Sequence, residues 1–138
     1  MIQRIQTLWL LLSGISALLT LKFPFLAGQK DGIGFSLNSA DEFYLLILAV
    51  AVFLAAIAAV FLFKNRKLQM KITGLSLLLS LLLNGLFVYV YLNNCYQLKD
   101  AVITLGAAIY FAMPAFLILA LFGIRKDEKL IKSMDRLR

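Results

Sequence analysis

Histidine is absent from this 138-residue chain, and cysteine occurs once, at Cys95. Those two scarcities remove much chemistry. A single thiol forms no intramolecular disulfide, and at the end of an apolar run it reads as a small apolar filler. No Cys/His set with metal-ligand spacing is present. The serines have no imidazole to act as their base. Acidic residues number only seven, and all lie at the edges of the long uncharged runs or outside them. The runs therefore hold no ionisable group of the kind that proton and ion pumps need in the membrane interior. A glycine-rich phosphate loop is missing too. No catalytic residue, metal site or cofactor is expected, and the chain reads as a non-enzyme.

What the chain has is apolar length, with 62% hydrophobic residues. Phe43–Phe63 and Ile72–Leu92 are each free of charge and are joined by the basic connector Lys64–Lys71. About 20 apolar residues in a helix cross a hydrocarbon core of about 30 Å. Two such runs with a short connector must form an antiparallel hairpin. Arg4 precedes another apolar run, without the small-x-small site of a cleaved leader, so a retained first span is expected at 5–23. Pro24 ends it. A fourth span is expected at 101–124, with Asp100 as N-cap and a kink at Pro114. The expected architecture is all-α: a single membrane domain over 1–138 with spans at 5–23, 43–63, 72–92 and 101–124 and a tail at 125–138.

Charge orients this bundle. Eleven of the 14 basic residues fall in the segment of Arg4, in the connector or in the tail, giving that side +8 and the other −1. By the positive-inside rule the connector and both termini lie in the cytoplasm. This partition explains the net charge of +7 as a topology signal, and direct nucleic-acid binding is not expected. On a helical wheel Ile124, Leu130, Ile131, Met134 and Leu137 share one arc of the tail, so an amphipathic cytoplasmic C-terminal helix is expected along the inner interface.

Smaller patterns fill in the rest. Phe25–Ala40 suggests a hairpin around Asp31-Gly32. Ser39 and Glu42 have the spacing of a capping box. Ala51, Ala55 and Ala59 form a small-residue ridge for helix packing. Ser76, Ser80 and Asn84 form a polar stripe, with Thr73 on the same face, that should turn away from lipid. Asn84 requires a partner, because an unpaired amide in hydrocarbon is costly.

Three strings, MIQRIQTLWLLL, KNRKLQMK and RKDEKLIKSMDRLR, resemble those of small integral membrane proteins grouped as domain of unknown function 4293. That resemblance spans essentially the whole chain and implies a four-span protein of the bacterial inner membrane in Bacteroidota. It brings no established activity. It draws attention to Gln3, Arg4, Gln6, Asn65, Arg66, Lys67, Gln69, Lys126, Asp127, Glu128, Lys129, Asp135 and Arg136, which match its recurring polar motifs.

The leading functional reading is an accessory or scaffold subunit. Arg4, Lys64, Arg66, Lys67, Lys71, Lys126, Lys129, Lys132 and Arg136 would dock anionic lipid of the inner leaflet, a membrane-protein partner or a second copy. The alternatives are a small-molecule channel or uncoupled transporter using the Ser76/Ser80/Asn84 stripe, and a membrane tether for a nucleic-acid-associated complex.

Overall fold

The computed structural model describes residues 2–30, 33–63, 65–95 and 99–135. Four helices alternate in direction: α1 (Ile2–Lys22), α2 (Phe43–Phe61), α3 (Arg66–Cys95) and α4 (Leu105–Asp135). Each contains a stretch long and apolar enough to cross a membrane. The closely packed pairs are α1 with α2, α2 with α3, α3 with α4, and α4 with α1, so the helices form a ring. In that ring α1 lies diagonally across from α3.

Backbone hydrogen bonding explains where the helices start and stop. Pro24 has no N–H to offer the Thr20 carbonyl, and the Ser39 N–H fills that place at 3.2 Å, so α1 ends at Lys22. The side-chain oxygen of Asn65 accepts from the Leu68 N–H at 3.3 Å, a capping bond that starts α3 early. Most of the expected connector, Arg66–Lys71, is therefore the first turns of α3.

The expected capping box does not form. Glu42 is the N-cap of α2 in an extended conformation, without a side-chain capping bond. Ser39 is buried, and its hydroxyl shares a hydrogen bond with that of Tyr110. The turn before α2 is built instead by Asn38, whose N–H donates to the Asp41 carboxylate and whose side-chain oxygen accepts from the Ala40 N–H, both at 2.8 Å. A long-range partner has overridden a local motif.

The other departure from an all-helical protein is a three-stranded antiparallel sheet. Its strands are β1 (Leu26–Lys30), β2 (Ile33–Leu37) and β3 (Lys99–Ile103), in the order β2-β1-β3. The expected hairpin is present as β1 and β2, with Leu26 opposite Leu37 and Lys30 opposite Ile33. Its turn, Asp31-Gly32, lies outside the described residues. β3 replaces the expected start of the fourth span. Asp100 and Ala101 are in a strand, and α4 begins only at Leu105. Val102, Ile103 and Thr104 are β-branched and suit the second edge of β1. The Thr104 hydroxyl donates to the Pro24 carbonyl. Gly106 lies against the same carbonyl, where a Cβ would collide with it.

Buried positions recur at alternating steps of four and three. They include Gln6, Leu10, Ser13, Ala17 and Thr20 on α1, and Leu45, Ala49, Val52, Ala56 and Ala59 on α2. On α3 the series includes Gln69, Thr73, Ser76, Ser80, Leu83 and Phe87; on α4 it includes Tyr110, Met113, Leu117, Ala120, Ile124 and Asp127. This period of 3.5 belongs to left-handed knobs-into-holes packing. It also separates the members of the alanine ridge. A strict step of four drifts around a helix by about 40° each time, at about 100° per residue. Ala59 is buried, whereas Ala51 and Ala55 have rotated to half-buried flanks.

Candidate functional site

The end of the bundle opposite the sheet gathers the start of α1, the end of α2, the start of α3 and the end of α4. Four side chains lock these pieces together. Gln6 lies on Gly123 so closely that a Cβ there would come within 2.7 Å of the Gln6 Cγ. Gln69 donates from Nε2 to the Ala59 carbonyl at 3.1 Å, near the last turn of α2, where carbonyls lack helical donors. Arg66 on α3 approaches Asp127 on α4 at 3.9 Å, with only 7% of the Asp127 side chain exposed. A carboxylate so deeply buried needs a cation beside it, because its desolvation costs several kcal/mol in the interior.

Other charges of this end point outward. Lys67, Lys71, Arg125, Lys126 and Lys129 are all exposed. Arg4 and Lys132 lie in helices, but their side chains are outside the described set, as are Lys64 and Arg136 altogether. From Arg125 to Asp135 the tail continues α4 without a break, so it is the last part of a 31-residue helix. The first tail turn is packed, with Ile124 and Asp127 buried. The arrangement is a basic surface on a polar foundation. Among the described residues no cluster of His, Cys, Asp or Glu is fit to hold a metal ion.

The polar stripe of α3 turns inward as a packing element. Thr73 and Ser76 donate to carbonyls four residues earlier, at 2.9 and 3.1 Å, and Ser80 donates to the Leu77 carbonyl at 2.8 Å. Asn84 reaches farther. Its amide nitrogen donates to the Ser80 carbonyl at 2.8 Å and to the Tyr110 carbonyl on α4 at 3.0 Å. Pro114 deprives that Tyr110 carbonyl of its helical donor, so the Asn84 partner and the Pro114 defect are one interaction.

Aromatic rings close the core toward the sheet. Phe87 and Tyr110 stack with centroids 4.5 Å apart, and Phe25 meets both edge-on at 5.0 and 5.6 Å. Offset and edge-to-face contacts of this kind contribute about 0.5–1.5 kcal/mol beyond area burial. Trp9 stacks on Phe116 of α4, with ring centroids 5.8 Å apart.

The family model described as Domain of unknown function (DUF4293) matches residues 2–137, nearly the whole chain. The chain belongs to this family. No curated protein and no solved structure matches it. Within this DUF4293 chain, the family-like strings divide into two structural roles. Gln6, Asn65, Arg66, Gln69 and Asp127 hold helix ends, whereas Lys67, Lys126 and Lys129 are displayed. Sequence reasoning placed all of them on one side but did not separate anchors from surface. The available signal was the heptad series, in which Gln6, Gln69 and Asp127 occupy core positions.

Proposed function

We propose that this DUF4293 protein is a non-enzymatic accessory or scaffold subunit of the bacterial inner membrane. Its basic end, with both termini, faces the cytoplasm and docks anionic lipid or a membrane-protein partner. The observation that carries this reading is the division of labour at that end. Amide and carboxylate groups are buried to hold the helices, while Lys67, Lys71, Arg125, Lys126 and Lys129 remain exposed around them. Clustered lysine and arginine beside a membrane span contribute about 1 kcal/mol each toward an anionic surface.

The test is mild extraction followed by native mass spectrometry. A stoichiometric partner, or bound anionic lipid, should accompany the wild-type protein and be lost from a Lys67→Gln/Lys71→Gln/Lys126→Gln/Lys129→Gln variant. A lone protein with no preference for anionic over neutral lipid defeats the proposal.

A further inference from the structure

We infer that the axis of the bundle is hydrated from Gln6 to Asn84, as a seam of hydrogen-bonded water between α1 and α3. These two helices are diagonal partners, so their inward faces meet across the axis. Both faces carry polar groups set between apolar ones, Leu10 and Ala17 on α1 and Leu83 on α3. Gln6, Ser13 and Thr20 project from α1; Thr73, Ser76, Ser80 and Asn84 from α3.

The polar groups share levels. The contact of Gln6 with Gly123 sets the antiparallel register of α1 on α4, and the bond of Asn84 to Tyr110 sets that of α3 on α4. Counting from those contacts, Ser13 and the Ser76–Ser80 pair both fall level with Phe116. The same count puts Gln6 between Gln69 and Thr73, and Thr20 beside Asn84.

Three atoms along this seam have no hydrogen-bond partner among the described residues: Gln6 Nε2, Ser13 Oγ and Asn84 Oδ1. Their residues are 5%, 0% and 9% exposed. Each unpaired buried polar group costs about 1–3 kcal/mol. A guest that both donates and accepts removes that cost. Water does so with two to four partners, and the hydroxyls of Thr73, Ser76 and Ser80 retain accepting lone pairs after donating to their own helix. The seam contains no charged side chain between Gln6 and Asn84 among the described residues, so it suits a neutral hydrogen-bonding guest and not an ion.

Toward the sheet, Phe25, Phe87 and Tyr110 stop the seam with apolar rings. Water therefore exchanges at the opposite end, beside Gln6. Access to the seam is then one-sided, whether or not the basic surface outside it docks a partner.

The test is water-edited solid-state NMR on the full chain in lipid bilayers, with water itself as the probe. Magnetisation from water should reach the side chains of Gln6, Ser13 and Asn84 as quickly as exposed Lys67. Outward-facing Leu78 and core Leu83 should remain dark. Build-up at Ser13 and Asn84 as slow as at Leu83 overturns the inference, and so does a signal confined to Gln6. A Ser13→Leu variant, which plugs the seam, should lose transfer to Asn84 and keep it at Gln6; an undiminished Asn84 signal in a folded variant contradicts access from that end.

Discussion

Asn84 donates its side-chain amide to the backbone carbonyl of Tyr110, the carbonyl that Pro114 leaves without a helical donor. The chain has two prolines, and the other follows the same rule: Pro24 strands the Thr20 carbonyl, which the Ser39 N–H takes up at 3.2 Å. Ser39 also bonds the Tyr110 hydroxyl, so both repairs meet at one residue pair.

This arrangement predicts a dependence between α3 and α4. Asn84→Leu should destabilise the bundle by about 0.6 kcal/mol, the typical value for an interhelical hydrogen bond in a membrane protein. In a Pro114→Ala background the restored N–H serves Tyr110 internally, and the cost of Asn84→Leu should shrink. Reversible unfolding in bicelles measures both. Equal losses in the two backgrounds would disconnect Asn84 from the proline.

A second prediction concerns two glycines with opposite surroundings. Gly106→Ala drives a methyl group into the Pro24 carbonyl and should cost about 1–3 kcal/mol, as overpacking does. Gly85 has open space where its Cβ would stand. Gly85→Ala should be neutral or stabilising, by up to about 1 kcal/mol of helix propensity. Thermal denaturation of the two variants side by side checks the pair.

The Ser39–Tyr110 bond gives a third. Ser39→Ala and Tyr110→Phe should each cost about 0.5–1.5 kcal/mol, and the double variant should lose no more than either alone. Additive losses in the cycle would mean that the hydroxyls act separately. A capping role for Ser39 predicts instead that Tyr110→Phe leaves the effect of Ser39→Ala unchanged.

The contrast between buried and displayed charge supplies a fourth. Arg66→Gln leaves Asp127 buried without its cation, whereas Lys67→Gln alters an exposed residue. The first should destabilise clearly and the second hardly at all. Adding Asp127→Asn to Arg66→Gln should recover much of the loss. If the two single variants unfold alike, the pair holds nothing together.

Orientation is the fifth. A cytoplasm-active reporter fused after Arg138 should be functional and an export-dependent one silent. A protease should cut at Lys30 only from the far side. The reverse pattern overturns the proposed placement of the basic end.

The helical spans were legible because length and unbroken hydropathy are properties of each segment alone. Inward rotation of Ser76, Ser80 and Asn84 was legible for a similar reason: lipid penalises a polar stripe wherever it sits. The features that sequence reading missed depend on distant partners. β3 is only five residues long and pairs with a strand more than 70 residues earlier, so its local pattern resembles the start of a helix. Ser39 looked like a cap until Tyr110 claimed its hydroxyl. Of the alanine ridge only Ala59 reaches the core, since a step of four and a supercoil period of 3.5 diverge within two turns. Gln6, Gln69 and Asp127 were noticed as polar, but their burial follows only from the phase of the whole helix.

The position of β1 at the centre of the sheet has a consequence for biogenesis. Its first edge closes locally, against β2, as soon as the N-terminal hairpin has emerged. Its second edge waits for β3, whose Ile103 faces Leu26. Until that stretch arrives, the first two helices carry an open strand edge, and the Pro24 carbonyl lacks the Thr104 hydroxyl. Completion of the sheet therefore waits for the stretch between α3 and α4. A ribosome-bound chain stopped before Lys99 should be half assembled and recognisable as such, by an exposed strand edge that chaperones or proteases on that side of the membrane can read.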